Sequence, residues 1–217
     1  MRIIEIKKDV LSKNDEIAAR VRANFKLRGI FAMNLISSPG SGKTTLLVKT
    51  IHDLKSKIPI AVIEGDQQTD NDAKRIAATG VPVIQINTLS SCHLDAAMVE
   101  TALEKLAFPG PGLLFIENVG NLVCPASFDL GENMKVALVS VTEGEDKPMK
   151  YPKAFRVSSA MVITKTDLLP HLEFDMASLL DLAGKINPSL HVFHLSAKTG
   201  DGLDDWYDYL LSLARRG

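Results

Sequence analysis

The chain has 217 residues, 46% of them hydrophobic and 24% charged, with a formal net charge of −1. That length can bury a full core without staples, and so balanced a charge gives no single-signed field to hold nucleic acid or a membrane surface. Two cysteines are too few for a disulfide framework, no stretch reaches the ~20 apolar residues of a membrane span, and residues 1–5 lack the apolar run of a signal peptide, so a reducing, cytoplasmic setting is expected. In chain order, the first helix signal covers residues 12–27. Ser12 and Asp15 look like capping residues there, and Ile17, Val21 and Phe25 recur every four positions before Gly29 ends the segment. Residues 1–29 are read as an N-terminal arm on a nucleotide-binding domain of residues 30–217, within one domain. Apolar strands follow at 31–36, 60–63, 83–86, 113–116, 136–141, 160–163 and 192–195. Helical patterns lie between them at 43–54, 71–78, 93–106, 177–186 and 203–214. The strands are apolar throughout rather than alternating, as in a parallel sheet covered on both faces. The expected fold is α/β: a mostly parallel sheet of about seven strands, helices on both faces, and ligand loops along one edge.

Between the first core strand and its helix stands Ser37-Ser38-Pro39-Gly40-Ser41-Gly42-Lys43-Thr44-Thr45. This is a P-loop with Ser37 where the first glycine usually stands. Gly40 and Gly42 let the backbone N–H groups of the loop, Ser41 included, wrap a phosphate at a helix N-terminus. Lys43 is expected on the β and γ phosphates, and Thr44, followed by Thr45, on Mg²⁺. Two further strands end in Glu64-Gly65-Asp66 and Glu117-Asn118-Val119-Gly120. Acidic residues at such strand ends suit a magnesium shell and a group that orients the attacking water. Asp66 and Glu117 are the candidates, and with Lys43 they form the expected catalytic set.

The strand at 160–163 runs into Thr164-Lys165-Thr166-Asp167. A carboxylate at Asp167 accepts from guanine N1–H and the 2-amino group. Adenine offers neither, so GTP and GDP are the expected ligands. Lys165 would lie along the ring face, and Thr164 stands where GTPases commonly have Asn. The last strand ends in Ser196-Ala197-Lys198, a second base-supporting loop. Cys92-His93 and Cys124 also follow strand ends on the same edge. Sulfur and nitrogen donors suit Ni²⁺, Zn²⁺ or copper. A single chain offers too few ligands for a closed four-coordinate site, whereas two chains would complete one.

With these residues in place, the chain resembles the HypB family, the hydrogenase nickel-incorporation GTPases. The carriers are the P-loop, Glu64-Gly65-Asp66, Cys92-His93-Leu94-Asp95-Ala96, Glu117-Asn118-Val119-Gly120-Asn121-Leu122-Val123-Cys124-Pro125 and Thr164-Lys165-Thr166-Asp167-Leu168-Leu169. The resemblance implies a GTP-hydrolysing metallochaperone for nickel–iron hydrogenase and, in some bacteria, urease. It implies a GTP-dependent homodimer, a HypA-type nickel chaperone as partner, and a Ni²⁺ or Zn²⁺ site at the dimer interface made by Cys92, His93 and Cys124. Residues 1–14 hold no Cys or His, so no N-terminal nickel store is expected there. Lys147 is a candidate phosphate contact, reaching from the partner chain. The alternatives are a urease-accessory GTPase, which would carry Cys-Pro-His, a metal-storage protein with a vestigial nucleotide site, and a small-molecule kinase.

Overall fold

The computed structural model describes residues 6–67 and 70–215, and the side chains from residue 10 onward. The reading of residues 1–5 lies outside these, as do Gln68 and Thr69 after the Glu64-Gly65-Asp66 motif. The elements are α1 (Ile6–Leu27), β1 (Ile30–Ser37), α2 (Lys43–Leu54), β2 (Ile60–Asp66), α3 (Asn71–Ala77), β3 (Val83–Asn87), α4 (Ala96–Lys105) and β4 (Gly112–Glu117). They continue with β5 (Met134–Ser140), α5 (Lys147–Lys150), α6 (Pro152–Val157), β6 (Ala160–Thr164), α7 (Met176–Ile186), β7 (His191–His194) and α8 (Leu203–Ala214). Short 3-10 turns cover Pro125–Ser127 and Thr166–His171.

All seven strands pair in parallel, in the order β3-β2-β4-β1-β5-β6-β7. Strand β1 is central, and the chain leaves it toward β2 on one side while β5 leads to β6 on the other. A crevice therefore opens beyond the carboxyl end of β1. Alternate residues of β1 face opposite layers. Phe31, Met33 and Leu35 pack with α2 and α8, while Ile30 and Ala32 pack with α1 and α4. Both sides of the strand are buried, which is why its sequence reads as one apolar run. A third cluster joins β5 and β6 to Phe155 of α6 and Leu179 of α7.

Helix α1 is a full member of that packing. Asn14, Ala18, Val21 and Phe25 are buried along one stripe, and the helix lies against α4. Ser12 and Asp15 are inside the helix rather than at its start, because nothing in Ile6–Leu11 interrupts helical geometry. The helix expected from residue 93 begins at Ala96 instead. Asp95 wins the N-cap, its carboxylate accepting from the Met98 N–H at 2.8 Å, so Cys92 and His93 sit in the preceding loop. Helices α5 and α6 escape the periodicity because Pro148 and Pro152 stand in their first turns. Among the described residues no helix is long and apolar enough to cross a membrane.

Candidate nucleotide and metal site

The phosphate cradle follows directly from β1. Gly40 and Gly42 adopt φ of 75° and 92°, a left-handed conformation that side chains resist. Ser37 keeps its place in the strand, so a serine there costs no backbone strain. Its hydroxyl fastens the loop, accepting from Ser41 Oγ at 2.6 Å and from Lys43 Nζ at 3.1 Å. Burial pushes the Lys43 ammonium below its ordinary pKa, opposed by the charge of Glu117. A phosphate would replace the water this cation has lost. The N-terminus of α2 opens on a cleft of about 550 Å³ lined by Gly40, Lys43, Thr44, Asp66, Arg75 and Glu117. Helix N-termini favour anions in such a place.

Opposite the lysine are two buried carboxyls. Glu64 of β2 and Glu117 of β4 are register partners, and each is 3% exposed. Glu117 Oε1 accepts from Thr44 Oγ1 at 2.6 Å, but neither Glu64 Oε2 nor Glu117 Oε2 has a hydrogen-bond partner. Burial pushes both groups up, with Glu117 adding to the effect on Glu64, which reaches about 8. Orphaned buried oxygens are costly. In the cleft with the Thr44 hydroxyl and Asp66, Glu117 fits a hard divalent cation such as Mg²⁺. Glu64 was not singled out from sequence, although a carboxylate closing an apolar strand was its signal. Arg75 was missed as well. It donates to Thr45 Oγ1 at 3.0 Å and to Asp72 at 3.0 Å from the cleft wall.

A second cavity of about 260 Å³ adjoins the first, with Thr164, Lys165, Asp167, Ser196, Ala197 and Lys198 on its walls. Ser196 Oγ donates to Asp167 Oδ1 at 2.6 Å and so aims the carboxylate. Lys165, at φ 60°, donates from Nζ to the Gly40 carbonyl at 2.7 Å. Thr164 Oγ1 donates to the Ser41 carbonyl at 2.6 Å. A hydroxyl at position 164 is thus enough to tie the base loop to the phosphate loop.

Cys92, His93 and Cys124 come together, each half-buried, with one donor atom apiece within 4.8 Å of the others. The two sulfurs are 3.0 Å apart, and His93 Nδ1 is 3.8 Å from Cys92 Sγ. The His93 ring stacks on Phe128 at 3.9 Å. Burial lowers its pKa, against the charge of Asp95, which favours the neutral imidazole that a metal needs. Soft sulfur and imidazole donors fit nickel or zinc, and three of them leave a coordination position open. Lys147 leans on its own chain's cradle, donating to Ser38 Oγ at 2.8 Å and pairing with Glu143 at 3.0 Å.

The two sites are physically continuous. The segment leaving β4 carries Glu117 at the cradle, touches the P-loop through Gly120 and Pro39, and ends at Cys124. From β2, Gln67 Nε2 donates to the Ser91 carbonyl at 3.2 Å, immediately before Cys92.

The family described as "CobW/HypB/UreG, nucleotide-binding domain" matches residues 31–194. The hydrogenase maturation factor HypB of Rhizobium leguminosarum bv. viciae is 58% identical over 99% of this chain and 72% of its own length. That of Azotobacter chroococcum mcd 1 is 57% identical over 96% and 68%. The crystal structure of HypB from Helicobacter pylori in complex with nickel superposes with a TM-score of 0.89 at 39% identity, covering 94% of this chain and 96% of that one.

Proposed function

The chain belongs to the HypB family of hydrogenase maturation factors, and from that premise we propose that it hydrolyses GTP and carries nickel to a nickel–iron hydrogenase precursor, its metal affinity set by nucleotide state. The observation that carries this reading is the segment after β4, which puts Glu117 in the cradle and Cys124 in the metal triad within one short stretch.

GTP is held at both ends. Asp167, aimed by Ser196, accepts from guanine N1–H and the 2-amino group, and an adenine would leave that carboxylate unpaired. The cradle N–H groups and Lys43 hold the phosphates. Thr44, Asp66 and Glu117 would hold a magnesium ion, which supplies neutralising charge for the β and γ oxygens. Asp66 lines the cleft and is the group we assign to orient the attacking water. Lys43 moves from the Ser37 hydroxyl to the γ-phosphate, and its charge matches what develops in the transition state.

Nickel is the cargo, taken by the thiolates of Cys92 and Cys124 and the imidazole of His93. A second copy of the chain completes the coordination and ties metal binding to a GTP-dependent homodimer in the cytoplasm. A HypA-type chaperone supplies or receives the metal. The test is Ni²⁺ affinity and dimer fraction with GDP and with a non-hydrolysable GTP analogue. A difference of roughly 5- to 150-fold in affinity is expected for such coupling. Equal affinities and equal dimer fractions would overturn the reading. Lys43→Ala should abolish steady turnover.

A further inference from the structure

Two asparagines in the segment after β4 belong to neither site. Asn118 and Asn121 stand outside the Cys92, His93 and Cys124 cluster and do not line the cleft. Each makes one hydrogen bond to the loop that carries Cys92 and His93. Asn121 Nδ2 donates to the Cys92 carbonyl at 3.3 Å, and Asn121 Oδ1 accepts from Val123 N–H at 2.8 Å, closing the turn that delivers Cys124. One amide therefore holds Cys92 itself and the residue immediately before Cys124. Asn118, 1% exposed, accepts from the Leu94 N–H at 3.1 Å and donates to Asn34 of β1 at 3.1 Å. The Cys92-His93 pair is suspended between these two amides.

The other end of the linkage is the cradle. The backbone of Asn121 forms a bridge with Ser37, whose hydroxyl receives the ammonium of Lys43. Next to it, Gly120 lies so close to Pro39 that a Cβ added there would sit 3.1 Å from the Pro39 Cα. A cradle that shifts when Lys43 turns to a γ-phosphate pushes on this turn directly. Packed interiors transmit such shifts rather than absorb them. The amide donates to the Cys92 carbonyl and accepts from Val123 at once; a carboxylate would lose the donor and set charge against the carbonyl.

We propose that Asn121, backed by Asn118, is a positioning residue that converts displacement of the phosphate cradle into displacement of Cys92 relative to Cys124, and so sets how strongly nucleotide state changes metal affinity. This rests on the nucleotide-coupled metal carriage argued above. A residue that merely shapes the loop would alter metal affinity equally in every nucleotide state. A coupling residue alters the ratio between states.

The experiment measures Ni²⁺ affinity of the full chain with GDP and with a non-hydrolysable GTP analogue, for the wild type, Asn121→Ala and Asn121→Asp. The wild-type ratio should differ from one. In both variants it should fall toward one by about 2- to 30-fold. Analogue affinity with and without Ni²⁺ must return the same ratio, and it gives a second route if a variant holds metal weakly. Affinities that drop in parallel in both nucleotide states, with the ratio intact, would overturn the role of Asn121. A wild-type ratio of one would instead overturn coupled carriage itself.

Discussion

Two pairs of buried ionisable groups lie near the carboxyl ends and flanks of the central strands, and they are opposites. At Glu132 and Lys135 the account is closed. The Glu132 carboxylate accepts from the Leu130 N–H at 2.6 Å, from Asn34 Nδ2 at 3.2 Å and from the Lys135 ammonium, which also donates to the Phe128 carbonyl at 2.8 Å. At Glu64 and Glu117 two like groups face each other, each with an oxygen that nothing bonds, and the nearby Lys43 is turned to Ser37. Burial is similar in the two places, with every one of these four residues no more than 9% exposed. The difference is satisfaction. A folded chain keeps a closed polar network for its own integrity, whereas an open one is a standing cost that a ligand must relieve.

Breaking the closed pair should therefore cost the most stability. Glu132→Gln leaves the Lys135 ammonium buried beside a neutral amide. Such half-removed pairs destabilise by about 3–5 kcal/mol. At about 2–4 °C per kcal/mol for a chain of this size, calorimetry should find the melting point lowered by on the order of 10 °C. Glu117→Gln should behave the other way. It removes a buried carboxyl with an unpartnered oxygen while keeping an acceptor for Thr44, so the nucleotide-free protein should melt no lower than wild type. Its GTP turnover, however, should fall by about 10²–10³, the usual cost of losing one preorganised electrostatic group. Equal losses of stability in the two variants would erase the distinction between the pairs.

The contrast also separates what the sequence makes legible from what it hides. The sheet was readable because burial on both faces makes β1, β2 and β4 unbroken apolar runs, and the cradle because Gly40, Gly42 and Lys43 follow a strand at fixed spacing. Cys92, His93 and Cys124 were readable as residues, and their meeting follows from both loops leaving strand ends on one edge. Glu64 and Glu132 were not. A carboxylate beside a strand looks the same whether solvent, a lysine or nothing meets it: Glu64 faces Glu117 through the register of strands far apart in the chain, and Glu132 meets Asn34 98 positions away. Asn34 and Asn118 were hidden for the same reason, their partners being 98 and 24 positions away. The start of α4 was misplaced because apolar periodicity carries no sign of where Asp95 will cap.

The subtlest way to sharpen the comparison is proton linkage at Glu64. Its pKa rises from an ordinary 4.5 to about 8 in the folded, nucleotide-free chain, through burial first and the facing Glu117 second. Between those values the folded state keeps a proton that the unfolded state has released. The sign follows: this stabilising contribution is whole below about 4.5 and is lost as pH climbs through about 8. Denaturant titrations from about pH 6 to about 8 should show stability declining by at most about 1.4 kcal/mol per pH unit. Glu64→Gln, which cannot ionise, should remove that decline and leave the remaining pH dependence untouched. If the variant and the wild type lose stability in parallel, the Glu64 carboxyl is already paired in solution, and the openness attributed to this end of the sheet belongs to Glu117 alone.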